Sequence, residues 1–142
     1  MSQLYGLDNA YKFTLFSGGL TGAAVTGQTT SAILNAPGTN YLLLQAIISG
    51  LDGGTSANFI VQTSVDDGNH WQDIASFAFS TGTSGKVHGL LASSVANMSL
   101  ISGILSANSL QQGILGDQFR LFYGTFGTYS AGSVLIIGLA KS

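Results

Sequence analysis

The stretch Phe59–Phe79, FIVQTSVDDGNHWQDIASFAF, decides the fold of this chain. Two apolar runs flank Asp66–Asn69, a sequence typical of a tight hairpin turn. Alternation in the first run predicts one core-facing side: Phe59, Val61, Thr63 and Val65. The stretch therefore predicts two antiparallel strands joined by a short turn.

The second run of the hairpin alternates less regularly. Four of its apolar residues occupy odd-numbered positions, whereas Ile74 occupies an even-numbered one. The four are Trp71, Ala75, Phe77 and Phe79. A β-bulge adds one residue to a strand and shifts the side chains beyond it to the other face. We therefore predict a bulge near Asp73-Ile74 that brings all these large apolar groups to one side.

The composition predicts an all-β fold. The 142 residues include 20 Gly and 1 Pro, and strand-forming residues recur in short blocks between turn signals. We predict one antiparallel, jelly-roll-like β-sandwich of about eight strands over residues 11–142, preceded by an N-terminal arm over residues 1–10. A run with near-helical spacing over residues 92–116 leaves two alternatives open, a short helix or a long loop with a short strand.

Charge is scarce, which limits the possible functions. Only 7% of the residues are charged, against about 25% in typical soluble domains. The four cations cannot form a basic stripe, so we expect no nucleic-acid partner. With no Cys there is no disulfide or thiolate metal site.

Several predicted strands are apolar on both faces. The segment Asn40–Leu51 has Leu42, Leu44, Ala46 and Ile48 on one side, and Tyr41, Leu43, Gln45 and Ile47 on the other. An antiparallel sheet with one wet face alternates more cleanly. Two explanations remain open: residues 92–116 cover the outer faces, or another subunit does. Low charge favours the subunit, because interface cores are depleted in charged residues.

Membrane insertion and export are not indicated. The apolar run Tyr41–Ile48 is far shorter than the ~20 residues of a membrane-spanning helix. The start, MSQLYGLDNAYK, lacks the basic and apolar regions of a secretory signal. We expect synthesis in a cytoplasm, without export by a standard signal, and no membrane partner.

The turn sequence resembles the Asp-box hairpin of sialidases and other β proteins. Ser64-Val65-Asp66-Asp67-Gly68-Asn69-His70-Trp71 follows Ser-x-Asp-x-Gly-x-Thr-Trp, with His70 in place of Thr. We expect Asp66 to accept hydrogen bonds from turn N–H groups, Gly68 to supply a positive φ, and Trp71 to pack on the hairpin. Such a box is a folding element and not a catalytic one.

Site chemistry is weakly supported. Calcium binding by Asp66, Asp67, Asn69 and Asp73 competes with ordinary turn chemistry, which the spacing favours. Two His residues are too few for zinc without Cys. There is no Gly-x-Ser-x-Gly nucleophile motif and no phosphate loop. We predict no catalytic, cofactor-binding or metal-binding residue, while exposed Tyr and Trp keep a glycan-binding module as an alternative.

Two segments are similar to sequences of small tailed-phage virion proteins. They are Gln62–Phe77, which is similar to the approximate pattern Gln-Thr-Ser-x-Asp-Gly-Gly-x-Trp-x-Asp-Ile-Ala-x-Phe, and Gly113–Arg120, which resembles a Leu-Gly-Asp sequence followed by an Arg-bearing strand. Together they cover about a fifth of the chain. The resemblance implies a non-enzymatic virion structural protein, made in the host cytoplasm.

Among virion proteins, the resemblance points first to a capsid decoration (cement) protein of a bacteriophage head. Such a protein is a homo-oligomer, often a trimer, and its partners are the major capsid protein or other virion proteins. A head spike, a tail component or an adaptor is the alternative. We expect residues 1–10 or 92–116 to reach a neighbour, so deleting residues 1–10 would weaken particle binding and leave the fold intact.

Overall fold

The computed structural model describes residues 10–20, 27–29, 34–35, 38–80, 85–92 and 105–141. Regular structure in these ranges consists of nine strands: β1 Ala10–Gly19, β2 Gln28–Thr29, β3 Leu34–Asn35, β4 Tyr41–Gly53, β5 Ser56–Ser64, β6 Gln72–Ser80, β7 Gly85–Ala92, β8 Gln118–Phe126 and β9 Tyr129–Lys141. Seven have eight residues or more. No helix within the described ranges is long and apolar enough to cross a membrane.

The strands form two antiparallel sheets. The four-stranded sheet has the order β1-β9-β4-β7, and the five-stranded sheet has the order β2-β8-β5-β6 with β3 also paired to β8. Their inner faces share one hydrophobic core. The predicted all-β, antiparallel sandwich is therefore confirmed.

The core consists of the inward-facing residues of the long strands. Leu42 and Leu44 of β4 and Phe59 and Val61 of β5 are 0% exposed. Burying such a side chain stabilises the fold by roughly 1.5–3 kcal/mol. The alternation predicted for the inward faces of β4 and β5 is confirmed by this burial, except at Val65. Val65 was predicted to share the core-facing side, but β5 ends at Ser64 and Val65 is 73% exposed in the turn.

The β5–β6 pairing contains the predicted bulge. Val61 pairs with Ala75 and the next residue, Gln62, pairs with Asp73, so Ile74 is the additional residue. Ile74 is 0% exposed and belongs to the core. The prediction is wrong for Trp71, which precedes β6, is half-buried and packs outside the core. The bulge shifts the alternation of side chains by one residue. Ala75, Phe77 and Phe79 beyond it therefore face the core, whereas Trp71 before it does not.

The first and last strands begin earlier than their neighbouring turns suggest. Only Gly127 and Thr128 separate β8 from β9, which begins at the buried Tyr129. At the N-terminus, Ala10 is already part of β1, and residues 1–9 of the predicted arm lie outside the described residues.

The region predicted as helix or loop is described only from residue 105 onward, and residues 93–104 lie outside the described residues. Over residues 105–116 it is not helical. Leu110 forms an isolated antiparallel bridge with Ala75 of β6. Ser76 N–H donates to the Ser109 carbonyl (3.0 Å) and Gln111 N–H donates to the Ile74 carbonyl (2.9 Å). The segment therefore pairs with the outer edge of β6.

The same segment contacts the other sheet. The Gln112 side chain accepts from Ala92 N–H (2.8 Å) and donates to the Leu90 carbonyl (2.7 Å) of β7. Gly113 N–H also donates to the Ala92 carbonyl (2.9 Å). Residues 108–113, called here the edge segment, thus join the edge strands of both sheets and satisfy backbone groups that exposed edges leave unpaired.

Candidate interaction surface

The outer side of the four-stranded sheet carries a row of exposed apolar residues. Strand register places Lys12, Leu139, Leu43 and Leu90 side by side across β1, β9, β4 and β7. The three leucines are 39%, 40% and 56% exposed, respectively. Leucines with so much exposed area on a regular strand row are unusual when they adjoin one another.

Neighbouring rows extend this surface. Ile137 pairs with Gln45, and Leu135 pairs with Ile47, on the same side of the sheet. Tyr41, at the start of β4, is 52% exposed. We call the following residues the apolar face: Tyr41, Leu43, Ile47, Leu90, Leu135, Ile137 and Leu139. The two-sided pattern of the sequence therefore corresponds to a surface that is open among the described residues.

The apolar face contains a shallow depression. Its volume is about 180 Å³, and it is lined by Lys12, Leu43, Gln45, Ile137, Gly138 and Leu139. The lining is largely hydrocarbon, with one cation at its border. A depression of this kind suits an apolar side chain from a partner, because packing density and shape complementarity at interface cores match those of protein interiors.

The charges around the face have one sign. Lys12 and Lys141 are exposed on β1 and β9. Among the described carboxylates only Asp52 belongs to these four strands, and it lies at the far end of β4, beyond the face. The face is therefore apolar with a cationic border.

The described part of residues 92–116 does not lie over this face. Residues 108–113 run along the edges of β6 and β7. Leu43 and Leu139, in the middle strands of the four-stranded sheet, remain about two-fifths exposed. Residues 105–116, the described part of the segment that was considered as a cover, therefore leave the outer face of this sheet uncovered.

The β5–β6 hairpin carries a second feature of the molecule, a cluster of polar side chains at its turn. One oxygen of the Asp66 carboxylate accepts from Ser64 Oγ–H (2.8 Å) and from His70 N–H (2.9 Å), and the other lies 2.6 Å from His70 Nδ1. A carboxylate only accepts, so Nδ1 is the donor in that contact. The predicted role of Asp66 as acceptor for turn N–H groups is confirmed.

These contacts alter the acidity of Asp66. The hydrogen bond from the His70 side chain, followed by those from His70 N–H and Ser64, lowers the pKa of Asp66 from 3.8 to about 2. Each of them stabilises the charged form of the carboxylate. The His70 found in place of the usual Thr therefore adds a side-chain hydrogen bond to the Asp66 carboxylate.

The turn backbone is left-handed at two successive residues. Asp67 has φ 59° and Gly68 has φ 86°. Gly68 takes this conformation without steric cost, and Asp is one of the few other residues that tolerate it. Ser64 Oγ accepts from Gly68 N–H (2.9 Å), and Trp71 Nε1–H donates to the Gly68 carbonyl (3.0 Å). The predicted positive φ of Gly68 is confirmed.

Trp71 packs beneath a cation. The Arg120 guanidinium carbon lies 4.3 Å from the Trp71 ring centroid, which is within the range of a cation–π contact. Arg120 Nε–H also donates to Gln62 Oε1 (2.8 Å). Burial lowers the pKa of Arg120, and the charge of Asp73 acts in the opposite direction. One face of the indole is therefore already occupied.

A polar row crosses the five-stranded sheet beside this stack. Gln62 Nε2–H donates to Asp73 Oδ1 (2.7 Å), and Leu105 N–H donates to Asp73 Oδ2 (3.3 Å). The register aligns Arg120, Gln62 and Asp73 on adjacent strands. Asp73 thus fixes the start of the described 105–116 segment rather than facing solvent.

The segments Gln62–Phe77 and Gly113–Arg120 are in direct contact. Thr63 Oγ1 accepts from Gly116 N–H (2.8 Å) and donates to the Gln118 carbonyl (3.0 Å). Asp117 N–H donates to the Ser64 carbonyl (2.8 Å). A Cβ on Gly116 would lie 2.0 Å from the Ser64 carbonyl oxygen, so only glycine fits there. The second segment therefore holds the base of the hairpin.

The candidate catalytic and metal residues do not form such a site. Within the described ranges no group of three or more His, Cys, Asp or Glu side chains is arranged to hold a metal ion. Ser64, Asp66 and His70 adjoin one another, but Asp66 lies between the other two. A hydrolytic triad needs the His between Ser and Asp, and Ser64 is 1% exposed. The hydrogen bonds of this cluster therefore hold the turn of the hairpin.

Some of these features were not predicted from the sequence. Exposure of the outer β4 residues depends on which elements cover the sheet. The Arg120–Trp71 contact depends on β5–β8 register and on the bulge. The Arg in the segment Gly113–Arg120 was the only available signal for it. Compared with known protein families and with curated proteins, the chain matches none.

Proposed function

We propose that this chain is a non-enzymatic structural protein of a bacteriophage virion, most closely a capsid decoration (cement) protein that stabilises the head through subunit contacts. The observation that carries the proposal is the apolar face. Its exposed leucines lie on the two middle strands and one edge strand of a regular sheet. A surface of this kind is stabilised by burial against another protein.

The strand order supports a jelly-roll variant of the sandwich. Counting β2 and β3, which pair with different parts of β8, as one interrupted strand gives eight strands in the orders β1-β9-β4-β7 and β2/β3-β8-β5-β6. Successive strands then alternate between the sheets except at the β5–β6 hairpin. Jelly rolls of eight strands are used in viral capsids and in lectins.

The polar clusters support a structural role. The Ser64, Asp66 and His70 side chains bind one another and the turn backbone. Asp73 is 7% exposed and binds Gln62 and a backbone N–H. Groups held in this way add rigidity, because a buried carboxylate is stabilised only when its lone pairs are satisfied.

The proposed partners are the major capsid protein or other virion proteins, and further copies of this chain, with a trimer favoured. Such contacts involve neither nucleic acid nor membrane, and the protein is made in the host cytoplasm and resides in the virion. Binding contributes area across capsomer joints without chemistry; a standard interface buries about 1,600 Å² in total.

A head spike, tail or adaptor component would use the same surface, and its attachment point on the particle would separate it from a decoration protein. A glycan-binding module is the second class. It is favoured by Trp71, which is half-buried beside the hairpin and has only one face of its ring in contact with Arg120. Saccharide-dependent fluorescence of Trp71, the single Trp, would support that class.

If the genome that encodes this chain also encodes a major capsid protein, the test is binding to phage heads assembled from that protein. We expect the full chain to co-sediment with heads and to raise their thermal stability. Replacing Leu43 and Leu139 together by Ser should abolish binding, while the matched variant Phe126→Ser, which alters a residue 64% exposed elsewhere, should bind normally. Failure of the unaltered chain to bind heads would overturn the proposal.

A further inference from the structure

We propose that copies of this chain associate head to tail, with the hairpin tip of one copy, Val65–Asp67, seated in the Lys12-bordered depression on the apolar face of the next. This inference rests on the proposed structural function, because it specifies one of the contacts that such a protein makes. Its occupant is a second copy of the chain.

The hairpin tip has the composition of a plug. Val65 is 73% exposed, the most exposed of the large apolar residues in the described ranges. Asp67 beside it is exposed, whereas Asp66 is held by His70 and Ser64. The tip therefore presents one branched aliphatic side chain next to an accessible carboxylate, on a turn fixed by hydrogen bonds.

The depression has the complementary composition. Its lining residues Leu43, Ile137 and Leu139 offer hydrocarbon, and Lys12 stands at its border. An aliphatic side chain would enter the apolar part while the carboxylate approached the ammonium group. Complementary charges at the rim of an apolar contact fix its register and speed association.

The charges of the whole chain are sorted in the same sense. Three of its four cations lie on strands of the four-stranded sheet: Lys12, Lys86 and Lys141. Four of its six carboxylates lie at the hairpin or on elements of the other layer: Asp66, Asp67, Asp73 and Asp117. Among the described residues, cations therefore outnumber carboxylates on the four-stranded sheet, where Asp52 is the exception, and carboxylates outnumber cations in the other layer, where Arg120 is the exception.

The topology makes this contact intermolecular. β4 runs from Tyr41 to a turn at Gly53-Gly54, and β5 returns to Ser64, so the hairpin and the start of β4 lie at the same end of the sandwich. The hairpin belongs to one sheet and the depression lies on the outward side of the other. A tip cannot reach its own depression, so the contact is heterologous and closes into a ring when the rotation between copies permits.

The test is charge exchange followed by sedimentation velocity of the full chain. At low ionic strength we expect the unaltered chain to form oligomers, and Lys12→Glu and Asp67→Lys to raise the dissociation constant about tenfold each. The double variant should return it to within about threefold of the original. Val65→Ser should weaken association, and high salt should reduce the effect of the charges.

Two controls separate charge from folding. Asp52→Lys makes the same charge change at the other end of β4, away from the depression, and should leave association unchanged. Asp67→Gln meets the same backbone cost at φ 59° as Asp67→Lys and should weaken association less. Circular dichroism checks that each variant folds.

The proposal is overturned if the double variant associates no better than the single ones, or if the unaltered chain does not self-associate. It is also overturned if Lys12→Glu leaves self-association intact and abolishes head binding, because the occupant of the depression would then be a capsid protein. Head binding by a chain that remains monomeric would remove this inference while leaving the proposed function in place.

Discussion

Asp66 organises the hairpin through three hydrogen-bonding groups from residues on both sides of it. Ser64 Oγ–H, His70 N–H and His70 Nδ1–H all converge on its carboxylate. These bonds lower its pKa to about 2. A carboxyl group with a depressed folded-state pKa stabilises the fold above its unfolded pKa, and that contribution is lost as the pH falls through the folded pKa.

Replacing Asp66 by Asn therefore changes the acid side of the stability profile. Asn keeps one acceptor oxygen but lacks the second one, which accepts from His70 Nδ1–H, so the variant should be less stable near neutral pH. The difference in free energy of unfolding from the unaltered chain should shrink as the pH falls from about 3.8 to about 2. Urea unfolding at a series of pH values measures this difference.

The control for that measurement is Asp52→Asn, which removes an exposed carboxylate outside the hairpin. A difference between Asp66→Asn and the unaltered chain that stayed constant from neutral pH to pH about 2 would show that Asp66 is not held as described.

Gly116 is constrained by the backbone of the hairpin base. A Cβ there would lie 2.0 Å from the Ser64 carbonyl oxygen, and the adjacent bonds to Thr63 and Ser64 prevent the two segments from separating. We expect Gly116→Ala to destabilise the fold by about 2–3 kcal/mol. Thermal or urea unfolding measures this cost.

Gly19→Ala is the matched control, because its Cβ would meet only an ordinary contact at 3.5 Å. Equal stability losses in the two variants would contradict the close approach of residue 116 to the hairpin.

At this scale the sequence predicts residues whose role is local. Asp66 and Gly68 were assigned correctly because turn chemistry acts within a few residues. Gly116 was not recognised as a packing residue, because its neighbour Ser64 is remote in sequence. Trp71 was assigned to the core, and its actual contact with Arg120 depends on the shift caused by the bulge at Ile74.

The edge segment, residues 108–113, gives the sandwich one closed side. It pairs with β6 through backbone bonds and with β7 mainly through the side chain of Gln112. Leu110 packs against the core between the two edges. Polar sequence in a long connection had favoured a loop or a short helix, and pairing of this loop with two edges could not be read from its spacing.

We expect Gln112→Ala to loosen the β7 edge. The substitution removes the acceptor of Ala92 N–H and the donor to the Leu90 carbonyl. Each lost bond costs about 1 kcal/mol, so exchange of the Ala92 amide should become about tenfold faster or more. Hydrogen–deuterium exchange with residue resolution measures this rate.

Gln112→Glu is the companion variant, because Glu retains the acceptor and lacks the donor. Its effect on the Ala92 amide should be the smaller of the two, and the amide of Ile136 in β9 should be unchanged in both. An Ala92 amide that exchanges at the original rate in Gln112→Ala would contradict the conclusion that the edge segment holds the edge of β7.

At the scale of the whole molecule, the sheets are apolar on their inner faces and one of them is apolar on its outer face as well. The sequence predicted this two-sidedness for β4 from alternation alone. It could not say what covers the outer side, because burial there depends on residues distant in the chain or on other chains. The exposure of Leu43 and Leu90 shows that no described part of the chain covers these two residues.

The cationic border and the anionic hairpin add direction to that surface. An apolar face alone does not specify a partner, whereas charges of one sign on each side favour contacts between unlike surfaces. Assembly through such a contact would compensate for the low charge of the chain, which otherwise gives little repulsion between copies.

The most direct test of the claim that further copies of this chain cover the apolar face is sedimentation velocity of the purified chain beside its Leu43→Lys variant. The account predicts a species that is a multiple of 14.6 kDa for the unaltered chain, and a single-chain species for Leu43→Lys, because a buried unpaired charge on the apolar face opposes association. An unaltered chain that stays at 14.6 kDa over the whole concentration range, or a variant that assembles equally well, would contradict it.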